Sequence, residues 1–514
     1  MAVKIILLVV FLGMMLGVGI YSRNKAKNVN DYVLGGRTVG PWISAFAFGT
    51  SYFSSVVFIG YAGQFGWKFG LASTWIGLGN AFIGSLLAWL ILGRRTRLMS
   101  QQLDAKTMPE YFGKRFDSKA LRIAGSIIAF VFLVPYTAGV YNGLSRLFGM
   151  AFDVDYRICV IVMAALTGAY VVIGGYMATA LNDFIQGIIM LIGIALVIGA
   201  VLAGKGGFTE AVKQLSQVPT DPSVTTEALQ GGQGLFASFF GPDPLALFGV
   251  IVLTSLGTWG LPQMVHKFYA IKDEKAVKTG TIVSTFFAII IAGGCYFLGG
   301  FGRLFGNEPG IVDAATGKVA YDSIVPAMLA TLPDILIGIV VVLVFSASMS
   351  TLSSLVLTSS STLTLDLIKP LRKKPMKDKT QLRLMQLFVV CFIVISVVLA
   401  FNPPTFIAQL MGYSWGALAG AFLAPFLYGL YSKNISKAAV WASYILGVGF
   451  TVFNMIVPVI SSPINAGAIT MVAGLIIVPI VSAITPKVDK AKVEDMFTCY
   501  DKTVVVPETE NLGK

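Results

Sequence analysis

Histidine occurs once in these 514 residues, at His266, and cysteine only four times, at Cys159, Cys295, Cys391 and Cys499. One histidine excludes an HExxH zinc helix, and cysteines this far apart carry neither a disulfide framework nor a zinc-binding spacing. Charged residues are equally scarce, at 12% of the chain against roughly 25% in a soluble domain. No GxxxxGK[ST] loop is present to cradle a nucleotide phosphate, and no nucleophile stands in a recognisable motif with a base, so the chain does not read as an enzyme. Long polar segments are missing as well. Only residues 205–244 and 302–331 leave room outside an apolar core, and "FTEAVKQLSQV" in the first suggests a short surface helix.

Apolar residues fill the space, at 56% of the chain with a mean hydropathy of +0.79. About 20 such residues in a helix span a bilayer core of roughly 30 Å, and runs of that length recur. The expectation is an all-α integral membrane protein of about thirteen spans. They lie near 2–21, 42–64, 71–92, 123–148, 157–175, 184–203, 245–265, 279–301, 333–362, 384–401, 405–430, 438–460 and 466–485. The first lacks a cleavage motif and carries its charges mainly after the apolar stretch, so it reads as a retained helix rather than a signal peptide. Residues 1–486 form one membrane domain and 487–514 a tail.

The net charge of +13 does not call for a nucleic acid, because it is distributed by side. Assigning loops alternately to two faces puts 30 of the 38 basic residues on one face, including Arg23, Lys25, Lys27, the Arg94–Arg122 group and the Lys369–Arg383 group. By the positive-inside rule that face is cytoplasmic, with the amino terminus outside and the carboxyl terminus inside.

Two spans carry polar residues or a breaker at mid-depth: "FGTSYFSS" at 48–55 and "LGTWGLPQ" at 256–263, where Pro262 removes a backbone donor. Interrupted helices at matching places in two inverted halves mark binding sites in transporters, and these two lie five spans apart. A third feature is the hydroxyl run "FSASMSTLSSLVLTSSSTLTLD" at 345–366, with twelve Ser or Thr between Ser346 and Thr364. Most of these hydroxyls serve their own helix, bonding a carbonyl one turn back. Asp366, closing the run, reads as a solvated charge at the membrane edge, and His266 as a surface histidine.

The motifs "DYVLGGRTVGPW" (31–42), "MPEYFGKRF" (108–116), "GGYMATALNDFIQG" (174–187), "GLPQMVHKFYAIKDEKAVKTG" (260–280), "SMSTLSS" (348–354) and "GYSWGALAGAF" (412–422) resemble, in order and spacing, those of the sodium/solute symporter family. Its members carry proline, pantothenate, sugars or sialic acid. The resemblance implies the leucine-transporter fold: an extra helix at 2–21, inverted five-helix repeats at about 42–203 and 245–430, and two further helices at about 438–485. It implies sodium as the coupling ion, held by the carbonyls of Thr50, Phe53 and Ala347 and the hydroxyls of Ser350 and Thr351, with Asp183 on the ion path. A solute site would draw on Ser51, Tyr52, Ser54, Tyr136, Thr258, Trp259, Pro262, Tyr413, Ser414 and Trp415.

The implied activity is sodium-coupled symport of a small organic solute (a carboxylate, vitamin or amino acid such as pantothenate or proline) across a plasma membrane, the bacterial inner membrane in particular. The expected partners are that solute and the lipid bilayer, with no nucleic acid; the oligomeric state stays open, a monomer included. Departures leave the solute open too. Tyr52 stands where proline carriers have an acid, Thr254 and Thr258 where they have Trp and Tyr, and Gln263 where pantothenate carriers have histidine. An uncoupled facilitator or channel, or a transporter-like sensor, remains as an alternative, the sensor weakened by a tail too short for an output domain.

Overall fold

The computed structural model describes residues 2–22, 28–313 and 316–505. Arg23, Lys25 and Lys27 of the basic count, and the last nine residues of the expected tail, lie outside the described residues. Helices dominate throughout. By length and composition 10 of the described helices can cross a membrane, or up to 11 if one bent pair is a single span.

The principal helices are α1 (Ala2–Ser22), α2 (Pro41–Tyr52), α3 (Ala62–Phe69), α4 (74–102), α5 (Met108–Arg115), α6 (Lys119–Phe152), α7 (Tyr156–Ala203), α8 (Pro244–Gly260), α9 (Pro262–Tyr269) and α10 (Glu274–Gly299). They are followed by α11 (Asp334–Thr362), α12 (Asp378–Phe401), α13 (Ile407–Tyr431), α14 (Lys437–Tyr444), α15 (Pro463–Ile484) and α16 (Lys490–Phe497). Local chemistry sets their starts. Thr107, Ser118, Asp243 and Asp273 each accept a backbone N–H one turn into the helix they precede, satisfying donors that have no partner within the helix. The segment expected as a surface helix is one, at Phe208–Ser216.

The 48 residues of α7 would be about 72 Å long as one straight helix, more than twice the bilayer core. Gly175, at φ 55° and ψ −150°, ends the first leg, and its helical neighbours start the second. A side chain there would strain the backbone and strike the Tyr32 carbonyl.

Large apolar side chains point outward from many helices, among them Ile6, Val10, Ile161, Leu245, Phe248, Ile290, Val398 and Ile480. Such a surface is at home in lipid and would aggregate in water. The polar side chains are drawn to the centre, where α2, α4, α6, α8, α10, α11 and α13 converge.

Candidate functional site

Two interruptions build the site. Between α2 and the π-helical turn Val56–Tyr61, Phe53 is extended (φ −112°, ψ 104°), which removes carbonyls and N–H groups of "TSYFSS" from the regular ladder. Ser54 partly replaces it, its hydroxyl accepting from Val56 N and its carbonyl from Val57 N and Phe58 N. Between α8 and α9, Leu261 is extended (φ −83°, ψ 120°) because the residue before a proline is pushed out of the helical region. The two helices meet at 47°.

The hydroxyl face of α11 lies directly against the first break. Ser350 Oγ donates to Thr50 Oγ1 at 2.8 Å, and Thr351 Oγ1 donates to the carbonyls of Ser51 and Ala347, each at 3.2 Å. One turn on, the hydroxyls of Ser51 and Ser354 lie 2.9 Å apart. Thr50, Ser51, Ala347, Ser350 and Thr351 are all buried. Phe53 is buried beside them, its ring stacked on Tyr52 with centroids 4.3 Å apart. Neutral oxygens of this kind, hydroxyl and freed carbonyl, are what a hard cation prefers.

Asp183, on the second leg of α7, is fully buried and receives Lys267 Nζ from α9 at 3.1 Å. Its other oxygen, Oδ1, has no hydrogen-bond partner, and Ser350 lies beside the carboxyl group. Two readings from sequence are corrected here. His266 is 5% exposed, its ring 5.5 Å from that of Tyr176, so it is a buried histidine. Asp366 is fully buried, because the α11 helix continues through a π-helical segment to Ile368 and brings it to Arg122 Nε at 2.8 Å and the Thr107 hydroxyl.

The residues expected to line a solute site fall into two groups. Several are committed to backbone: Tyr52 OH to Thr254 O (2.6 Å), Thr258 Oγ1 to Ser255 O (2.9 Å), Trp259 Nε1 to Ile83 O (3.0 Å) and Ser414 Oγ to Phe132 O (2.6 Å). Tyr136 and Trp415 pack edge to face at 5.7 Å, leaving Trp415 Nε1 without an acceptor. Pro262 opens α9, Ser54 sits in the first break, and Tyr413 is half-buried on α13. Trp415 also covers Gly257 of α8, close to Ser255, whose hydroxyl donates to Asn80 Oδ1 at 3.2 Å.

That last contact leads to residues that sequence reasoning missed. Asn80 and Tyr296 lie side by side and buried, close enough to bond each other, while the buried Tyr61 OH has no partner among the described residues. Buried polar groups without partners are rare in native proteins. The available signal was Asn80 itself, the one amide in the largely apolar run "WIGLGNAFIGSLLAWL".

A many-helix membrane protein with two interrupted helices facing a hydroxyl-lined centre defines a transporter rather than an enzyme. The chain belongs to the sodium:solute symporter family, whose profile matches residues 32–447. It is 29% identical over 503 residues to the osmoregulated proline transporter OpuE of Bacillus subtilis (strain 168), covering 96% of this chain and 97% of that one. It is 27% identical over 460 residues to the sodium/proline symporter of Salmonella typhimurium, covering 87% of each. Among solved structures, a Na+-coupled sialic acid symporter in a substrate-bound outward-open state superposes with a TM-score of 0.75 at 18% identity, over 95% of this chain and 99% of that one. A nucleobase-cation-symport-1 transporter, Mhp1, gives 0.51 at 12% identity, over 90% and 97%. These two likenesses concern the fold.

Proposed function

We infer that the protein is a secondary active symporter that draws a small organic solute into the cell with sodium. The observation that supports this most directly is the apposition of Ser350 and Thr351 to the unwound segment after Thr50. In this reading a sodium ion is held by the carbonyls of Thr50, Phe53 and Ala347 and by those two hydroxyls, exchanging neutral hydroxyl contacts for ion–oxygen contacts. Binding ties α11 to the broken helix and thereby fixes the solute pocket, after which the interrupted helices rock to open inward. The proline-carrying relatives favour an amino acid as the solute, with a carboxylate or vitamin next.

The same reading has thirteen spans in a plasma membrane, with two inverted five-helix repeats at about 42–203 and 245–430. The amino terminus is outside and the lysine-rich loops inside. Within the pocket, the donors and acceptors open to a solute are Tyr61, Asn80, Tyr296 and Trp415 Nε1, framed by Ser51, Tyr52, Ser54, Tyr136, Thr258, Trp259, Pro262, Tyr413 and Ser414. The driving force is adequate. One charge crossing about 100 mV contributes about 2.3 kcal/mol, and a tenfold sodium gradient adds about 1.4 kcal/mol.

Uptake into proteoliposomes of an amino acid panel, beginning with proline, tests this with and without an inward sodium gradient. Concentrative uptake that requires the gradient is expected, with Ser350→Ala and Thr351→Ala each reducing it at least tenfold. Equilibration without accumulation would instead identify an uncoupled facilitator, and uptake unaffected by both substitutions would remove the sodium site.

A further inference from the structure

Lys267, on α9, buries its ammonium against an acid on α7 at the edge of this centre. Its side chain is 2% exposed, and Nζ lies 3.1 Å from Asp183 Oδ2 and 5.3 Å from the centre of the Tyr176 ring. A lone buried charge costs several kcal/mol, so the two ions hold each other in place. The pairing is incomplete on the acid's side. Asp183 Oδ1, equally buried, has no donor beyond the Ser350 hydroxyl, which lies beside that carboxylate, donates to Thr50 Oγ1 and is proposed above as a sodium ligand. Asp183 therefore stands between an ammonium fixed to α9 on one side and, on the other, the neutral hydroxyls of Ser350 and Thr50, where the sodium ion is read above.

α9 is itself the inner half of an interrupted helix, joined to α8 only through the extended Leu261. Its ammonium is thus mounted on the element that must shift when the inner side opens, while Asp183 is mounted on α7.

We propose that Lys267 is a tethered counter-cation that competes with sodium for Asp183 and so hastens release of the ion into the cell. With the ammonium in place the carboxylate is neutralised, and a sodium ion leaving Ser350 and Thr351 meets an acid that cannot retain it. Without the ammonium the ion itself becomes the carboxylate's counter-charge and is held there. This inference rests on the sodium site read above.

Equilibrium binding of radioactive sodium to the purified full-length protein, together with proteoliposome assays of net uptake and of solute counterflow, tests it. Lys267→Gln is expected to bind sodium at least tenfold more tightly. Its net uptake falls at least fivefold while counterflow, which needs no sodium release, stays within twofold of the wild type. Lys267→Arg, which restores the charge, returns both readouts toward wild type.

Should Lys267→Gln fail to fold, Lys267→Met, which keeps the length of the side chain without its charge, replaces it with the same expectation of sodium binding at least tenfold tighter. Wild-type sodium affinity in Lys267→Gln with an unchanged ratio of net uptake to counterflow would overturn the proposal, as would the same result in Lys267→Met. Loss of sodium binding in Ser350→Ala and Thr351→Ala alongside that outcome would leave the sodium site standing. Intact binding in both would show that the site, rather than Lys267, was misread.

Discussion

At the scale of single residues, polarity in an apolar run told where to look but not what each group meets. Ser350 and Thr351 were singled out by the resemblance of their motif rather than by the density of hydroxyls, and they lie against the first break. Asn80 was as visible, yet its significance depends on Ser255, 175 residues away, and on the buried phenol of Tyr296 beside it. Asp366 and His266 were misjudged for the same reason, since residues distant in sequence, Arg122 and Tyr176 among them, pack against them and no local pattern places those beside them. Asp322 makes a testable case outside the spans. It sits in the turn Tyr321–Ser323, its Oδ2 accepting Ile407 N at 3.3 Å at the start of α13, with Oδ1 unpartnered. Burial pushes its carboxyl up from 3.8 to about 6, against the opposing pull of Arg146. The folded state therefore binds more protons than the unfolded state between about pH 4 and 6, so stability falls as pH rises through that window and is level above it. The loss amounts to about 2–3 kcal/mol. Thermal unfolding in detergent across pH 4–8 should show this slope in the wild type, and Asp322→Asn should flatten it and unfold at higher temperature above pH 6.

At the scale of elements, breaks were more legible than crossings. Pro262 announces the second interruption by its covalent chemistry, and the polar cluster at 48–55 announces the first. The contact between α3 and α10 has no such announcement. There a Cβ on Gly66 would stand 1.9 Å from the Gly299 carbonyl oxygen, and one on Gly299 would stand 2.2 Å from the Ala62 carbonyl oxygen. Both obstacles are backbone, which cannot turn aside as a side chain could. Gly66→Ala is accordingly expected to cost about 1–3 kcal/mol through forced separation of the helices, read as a lower unfolding temperature. The Arg122 junction between α6, α5 and the end of α11 makes a second test. Its guanidinium contacts Asp366 at 2.8 Å and Glu110 at 2.9 Å. Burial alone would raise Glu110, but Arg122 and Lys114 outweigh it and hold that carboxyl below its ordinary range. Arg122→Ala leaves two buried acids facing each other and should cost about 3–5 kcal/mol. Arg122→Ala combined with Asp366→Asn should recover part of that loss, because the two sites share one network.

At the scale of the whole molecule, the pattern of charge carries the boldest claim, that the basic face is the cytoplasmic one. The tail belongs to this face. After α16, Tyr500 OH donates to Leu430 O at 2.7 Å, and the Arg95 guanidinium lies 4.4 Å from the Tyr500 ring and 4.0 Å from that of Tyr431. Arg94 and Arg97 donate to the carbonyls of Lys502 and Val505, and Glu274 accepts Val504 N, so basic residues from α4 that seemed merely topological also bind the tail. Opposite ends of α11 give a direct assay of orientation. Lys374 is exposed in the turn after α11, and Asn307 is exposed in the segment before it, so a single pass through the membrane separates them. The native thiols give little background, since Cys159, Cys295 and Cys499 are buried and Cys391 lies within α12. With Lys374→Cys, a membrane-impermeant maleimide should label inverted membrane vesicles and leave intact cells unlabelled. Asn307→Cys should show the opposite pattern. Labelling of Lys374→Cys in intact cells would reverse the orientation, and with it the direction in which Lys267 is argued to speed the ion's departure.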